Sequence, residues 1–153
     1  MRQPAYRWTS LHTPAWALVL STAVLGGCQS PGLIEQVESN QPKRLKRDRQ
    51  KQVIHLDLRG MDLKPEAWEE LGRLEDLRWL ALPKDAGPGH LNILLKLKSL
   101  ESLSLYGCRR SDQQVARLGQ LKRLRHLNLV GTGVSEEAVA ALRRQNPGLR
   151  IYH

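Results

Sequence analysis

Leu100-Glu101-Ser102-Leu103-Ser104-Leu105-Tyr106-Gly107-Cys108 contains the phrase apolar-x-x-Leu-x-Leu, and the chain repeats it. It recurs as Val53-x-x-Leu56-x-Leu58, Leu77-x-x-Leu80-x-Leu82 and Leu124-x-x-Leu127-x-Leu129, with the middle leucines 24, 23 and 24 residues apart. A period of roughly 20–29 residues on alternating leucines marks a repeat carrying one short strand, and lies below the periods of the common helical repeats. The spacing therefore predicts a solenoid whose units pack only on their neighbours. Such an array displays a surface instead of enclosing a cleft, which argues against an enzyme.

The alignment extends past the leucines. The stretches that begin at Gly60, Gly107 and Gly131 superpose without gaps for nine residues. The glycine stands where the chain must turn out of the strand, a place that favours a residue without a β-carbon. Ser111 and Ser135 then read as helix N-caps with acidic residues behind them, and Pro65 suits a first helical position. Trp68, Leu71 and Leu74, then Val115, Leu118 and Leu121, then Val139 and Leu142 give each helix one apolar stripe. Each unit is a strand, a turn and a helix. In the second unit Pro83–His90 replaces the glycine turn with a breaker-rich loop, so its helix should start late, near Leu91. Asn146-Pro147 stops the last helix, and Leu149–His153 begins a fifth strand.

These units, over residues 53–153, resemble the short, cysteine-containing-like type of bacterial leucine-rich repeat. The resemblance implies an α/β solenoid with parallel strands on a concave face and helices on the convex face. In that family the ninth repeat position is Asn, Cys or Thr packed inside the turn. Here it is Met61, Asp85, Cys108 and Thr132. The resemblance makes Cys108 a quiet structural thiol, not a reactive one.

At the amino terminus, Arg2 and Arg7 precede an apolar run, Ala15–Leu25, that is too short for a bilayer core needing about 20 residues. A basic leader, a short apolar core and small residues describe a signal peptide over residues 1–27. Leu25-Gly26-Gly27-Cys28 resembles the lipobox of bacterial lipoproteins, with Gly26 where Ala or Ser is usual. That resemblance implies lipidation of Cys28 as the first mature residue. With Gln29 instead of aspartate beside it, it implies an outer-membrane lipoprotein facing the periplasm or the cell surface.

Residues 28–52 carry little apolar material and a dense run, Lys43, Arg44, Lys46, Arg47, Arg49 and Lys51. Such a segment reads as a mobile or weakly helical tether, with a root-mean-square span of roughly 27 Å. Its basic residues are candidate contacts for an anionic surface. The full chain carries +9 at pH 7, and loss of the leader's two arginines leaves +7. On an exported protein that charge points to anionic envelope surfaces and away from nucleic acid.

If the leucines point inward, the alternate residues line the other face of the sheet. His55, Trp79 and His126 precede the middle leucines, Asp57 and Asn128 follow them, and Arg59 and Tyr106 come after the third. Aromatic residues and arginine are what binding surfaces concentrate, so these seven form the candidate partner surface. His55 and His126 stand three strands apart, about 14 Å, too far to share a metal. No phosphate-cradling loop, Cys-x-x-Cys pair or strained serine elbow occurs, so neither catalysis nor a cofactor is expected. The function expected is an envelope-anchored module that binds another envelope protein or a glycan. The alternative is a structural spacer riding on anionic surfaces through its basic segment.

Overall fold

Leucines two apart in sequence can both face a core only from an extended chain, and each of the four repeated phrases carries a strand. The structure, a computed structural model, describes residues 31–153. In chain order the elements are α1 (Leu33–Asn40), β1 (Leu45–Arg47), β2 (Val53–Asp57), α2 (Pro65–Leu71), β3 (Trp79–Ala81), α3 (Leu91–Leu94), β4 (Ser102–Ser104), α4 (Asp112–Arg117), β5 (His126–Asn128), α5 (Glu136–Gln145) and β6 (Arg150–Tyr152). The six strands form one sheet in sequence order, antiparallel at β1–β2 and parallel at every later pair. The fold is α/β.

Register places Leu56, Leu80, Leu103, Leu127 and Ile151 side by side. The four leucines are sealed from solvent, as are Leu58, Leu82, Leu105 and Leu129 one step further along each strand. The helices close the other side of this layer with Trp68 and Leu71 from α2, Leu91 and Leu94 from α3, Val115 from α4, and Val139 and Leu142 from α5. The helix starts follow their side chains. The Gln114 amide oxygen accepts from the Ser111 N–H at 3.0 Å, and Ser135 Oγ accepts from the Ala138 N–H at 3.2 Å. Asp112 ties the two turns together by accepting from the Ser135 N–H (3.0 Å) and hydroxyl (2.6 Å).

The chain leaves β2, β4 and β5 through Gly60, Gly107 and Gly131 at φ of +72°, +71° and +72°, the left-handed region that favours glycine. Behind two of these glycines a small polar side chain is buried. The Cys108 thiol donates to the Pro83 carbonyl at 3.2 Å, and burial pushes its pKa up. The Thr132 hydroxyl donates to the Leu129 carbonyl at 2.6 Å. The other two ninth positions behave differently: Met61 is half-buried and Asp85 is exposed. In that second turn Ala86 takes the inward place, because the loop Pro83–His90 lacks the glycine and slips by one residue. Its helix, α3, starts at Leu91 as its breakers required.

Of the expected tether, the described residues 31–52 do not stand apart as a mobile segment. From Pro31 onward the chain belongs to the same unit as the sheet, and the expected boundary at residue 53 moves accordingly. Leu33, Val37 and Leu45 are buried and cover the end of the leucine layer that β2 would otherwise expose. Glu70 of α2 accepts from the first amides of α1, Leu33 at 2.6 Å and Ile34 at 3.2 Å. β1 satisfies the free edge of β2, with Leu45 opposite Leu56. The basic run is thereby split. Lys43 and Arg44 lie in a short 3-10 turn before β1, where Arg44 donates to the Arg59 carbonyl. Arg47 pairs with Glu38 at 2.7 Å, while Arg49 and Lys51 sit on the β1–β2 turn. The signal peptide and Cys28 lie outside the described residues.

One buried side chain breaks the pattern. Arg110 occupies the position held by Leu63 and Val134 in two other turns, and only 6% of it is exposed. Its Nη1 donates to the Ala86 carbonyl at 2.8 Å, whereas Nε and Nη2 meet no acceptor among the described residues. Burial lowers its pKa. A buried charge without a counter-ion costs stability. Arg110→Leu is therefore expected to stabilise the fold by about 1–2 kcal/mol; a lower midpoint in urea than that of the parent chain would contradict it.

Candidate interaction surface

Because β2–β6 are in register, the residues flanking the buried leucines form two rows on the outward face. One row is His55, Trp79, Ser102, His126 and Arg150, and the other is Asp57, Ala81, Ser104, Asn128 and Tyr152. Direct neighbours in such a row stand about 4.8 Å apart. That spacing lets the His55 and Trp79 rings stack, with centroids 4.0 Å apart and planes 7° from parallel. Burial in this stack, and then Lys46 across from it on β1, lower the His55 pKa, against a smaller opposing pull from Asp57.

Beside the stack, Asp57 holds Arg59. Its carboxylate accepts from Arg59 Nε at 2.9 Å and Nη2 at 2.5 Å, and also from the Arg59 N–H at 3.1 Å. The Arg59 hydrogen bonds hold the Asp57 pKa below the usual carboxylate range. The Arg59 side chain is 60% exposed and that of Asp57 only 14%, so the pair presents a fixed guanidinium to solvent. Asn128 repeats part of this geometry, its Oδ1 accepting from the Val130 N–H at 3.0 Å. Asp57 and Asn128 are therefore committed in part to ending their strands, a local use typical of such side chains.

The expected surface residues fall into two groups. His55, Asp57, Arg59 and Trp79 meet at β2–β3. Tyr106 belongs to the turn after β4, and His126 and Asn128 to β5. Tyr106 is 47% exposed, with Lys84 Nζ 5.5 Å from its ring centre. Tyr152 and Val130, at 55% and 39% exposure, extend this second group. Neither was singled out from the sequence. Carrying the alignment into the fifth strand would have found Tyr152, which pairs with Asn128. Between the groups, Ala81 and Pro83 are buried and make the face shallow. Among the described residues, no group of three or more His, Cys, Asp and Glu is placed to hold a metal ion.

A second stacked pair lies away from this face. His90 lies on Trp68 with ring centres 3.8 Å apart, and its Nδ1 is buried without a partner among the described residues. Burial, then the nearby Arg110 charge, lower its pKa. Compared with known proteins, the chain matches no family model and no curated protein.

His55 and His90 both bind protons less readily folded than unfolded, where the ordinary histidine value is 6.5. The unfolded chain thus takes up protons first as pH falls below about 6.5, and stability declines there. The lowered carboxylate of Asp57 acts only at lower pH, since its ordinary value is 3.8. Thermal midpoints measured from pH 7.5 down to 5.5 should fall, and the His55→Gln/His90→Gln variant should flatten the slope. An unchanged slope in that variant would assign the pH dependence elsewhere.

Proposed function

We propose that this chain is an exported lipoprotein whose leucine-rich-repeat solenoid, held to a membrane through Cys28, offers its strand face to an envelope protein or a glycan. One observation carries the reading: the His55–Trp79 stack and the Asp57–Arg59 pair stand side by side on the outward face. Aromatic and arginine side chains, pre-positioned and partly exposed, are the groups that anchor binding interfaces. The ring stack and the ion pair also reduce the ordering cost of binding, because both rotamers are set beforehand.

A photo-crosslinking residue at position 79, with position 137 on the first turn of α5 as control, should capture a discrete partner from the envelope at position 79 alone. On the purified pair, Trp79→Ala should weaken binding by about 2 kcal/mol with the fold intact. Equal capture at both positions, or unaltered affinity, would remove this face from the interaction. Independently, Cys28→Ala should abolish fatty-acid labelling and move the chain out of the membrane fraction; labelling that survives the substitution would place the anchor elsewhere.

A further inference from the structure

Every strand from β2 to β6 runs the same way, and each helix returns against it. The starts of α2 to α5 therefore collect at one edge of the sheet and their ends at the other. Helix starts favour acidic side chains and helix ends basic ones, because the peptide dipoles leave partial positive charge at the first turn and negative at the last. In this chain α4 and α5 follow the preference, whereas α2 ends in Glu69 and Glu70 and its turn to β3 carries Glu75 and Asp76 beside Arg73 and Arg78. At the edge of helix starts the exposed acids Asp112, Glu136 and Glu137 stand among the exposed basic residues Lys64, Lys84 and Arg109, so the charges there are mixed. At the edge of helix ends, the turns between α3 and β4 and between α4 and β5 carry Lys96, Lys98, Lys122, Arg123 and Arg125, all exposed, against the single acid Glu101. None of these five basic side chains forms an ion pair among the described residues.

Two further features converge on that edge. The tip of the β1–β2 hairpin lies there, because β1 runs antiparallel to β2 and ends opposite Val53, and it brings Arg49 and Lys51. The chain also enters the folded unit there. Leu33 and Ile34 bond to Glu70, the penultimate residue of α2, so Pro31 lies beside that helix's end. Only Gln29 and Ser30 separate it from Cys28. Even fully extended, the three steps from Cys28 to Pro31 reach no more than about 11 Å.

We infer that this basic edge is a docking surface for anionic lipid headgroups, which lays the unit on the membrane with its helix-end turns down. The inference rests on the proposed lipidation of Cys28. The acyl chains would hold one end of the row against the bilayer, and Lys96 to Arg125 would engage it one and two strands further on, at the turns into β4 and β5. A short tether makes the second contact effectively intramolecular, so weak individual charges suffice. Between Lys122, Arg123, Arg125, the single acid Glu101 and the Asn146–Leu149 turn the edge has a depression of about 530 Å³, with three basic side chains to one carboxylate and room for a headgroup phosphate. The outward sheet face then stands upright from the membrane, open to a partner in the envelope.

The test uses the mature, acylated chain reconstituted into vesicles of phosphatidylcholine alone or with one-third phosphatidylglycerol. A polarity-sensitive thiol label goes on Gln120→Cys, in the 3-10 turn that follows α4, or on Gln113→Cys, near the start of α4; both residues are exposed, and the native Cys108 is buried. In anionic vesicles, quenching by aqueous acrylamide should fall severalfold at position 120 and remain unchanged at position 113. High salt, neutral vesicles, or the Lys122→Glu/Arg123→Glu/Arg125→Glu variant with unaltered circular dichroism should each restore it. Equal quenching at the two positions, or shielding that survives charge reversal, overturns the inference. Mass spectrometry of the amino-terminal peptide separates the two failures: no acyl mass on Cys28 removes the lipoprotein reading and this orientation with it, whereas an acylated chain without shielding removes the orientation alone.

Discussion

The structure depends on the side-by-side stacking of Leu56, Leu80, Leu103 and Leu127. Each strand has only three to five residues, too little backbone to hold a sheet in register by hydrogen bonds alone. Slipping a strand by one residue would turn its leucines outward and bring in the alternate polar residues. The column thus fixes register, and register fixes everything on the opposite face. His55 stacks on Trp79 because Leu56 stacks on Leu80. The candidate surface is in this sense a by-product of the core.

A layer built by stacking has two ends that its own repeat cannot close, and this is where sequence and structure part. The four strands and their helices were legible because their period repeats. The closing piece, Leu33 to Arg47, appears only once and offers just Leu33, Val37 and Leu45 as buried apolar contacts among many polar residues. No pattern distinguishes three such residues from a solvated linker. What folds the segment is non-local: the open edge of β2, and Glu70 waiting for the first amides of α1. The slip from Asp85 to Ala86 in the second turn escaped for a related reason, since alignment by counting assumes a loop of constant geometry.

The candidate site was legible as a set of residues and not as a set of contacts. Alternation placed His55, Asp57, Trp79, His126 and Asn128 on one face. That Asp57 grips Arg59, two residues along the same chain, depends on how the strand ends, and Asn128 acts similarly toward Val130. Arg110 was aligned with Leu63 and Val134, yet its burial could not be read from an arginine, a residue type that is seldom fully buried. Its unmet Nε and Nη2 lie in the same region as the buried Nδ1 of His90, so the irregular second turn concentrates the polar strain of the unit. The regular turns bury Cys108 and Thr132 with their hydrogen bonds made.

Parallel strands have a consequence beyond register. In an antiparallel sheet successive helices or turns would alternate in direction, and charges favoured by helix ends would be spread over both edges. Here α2 to α5 point the same way, so a local preference of a few tenths of a kcal/mol to about 1 kcal/mol at each end acts with the same sign in each of them, and α4 and α5 follow it with acidic first turns and basic last turns. Composition alone reports a net charge of +9; topology decides that much of it faces one way. The described chain enters the fold at that same edge, because the first amides of α1 bond to Glu70 at the end of α2, so its entry point and the basic turns into β4 and β5 share one side of the unit.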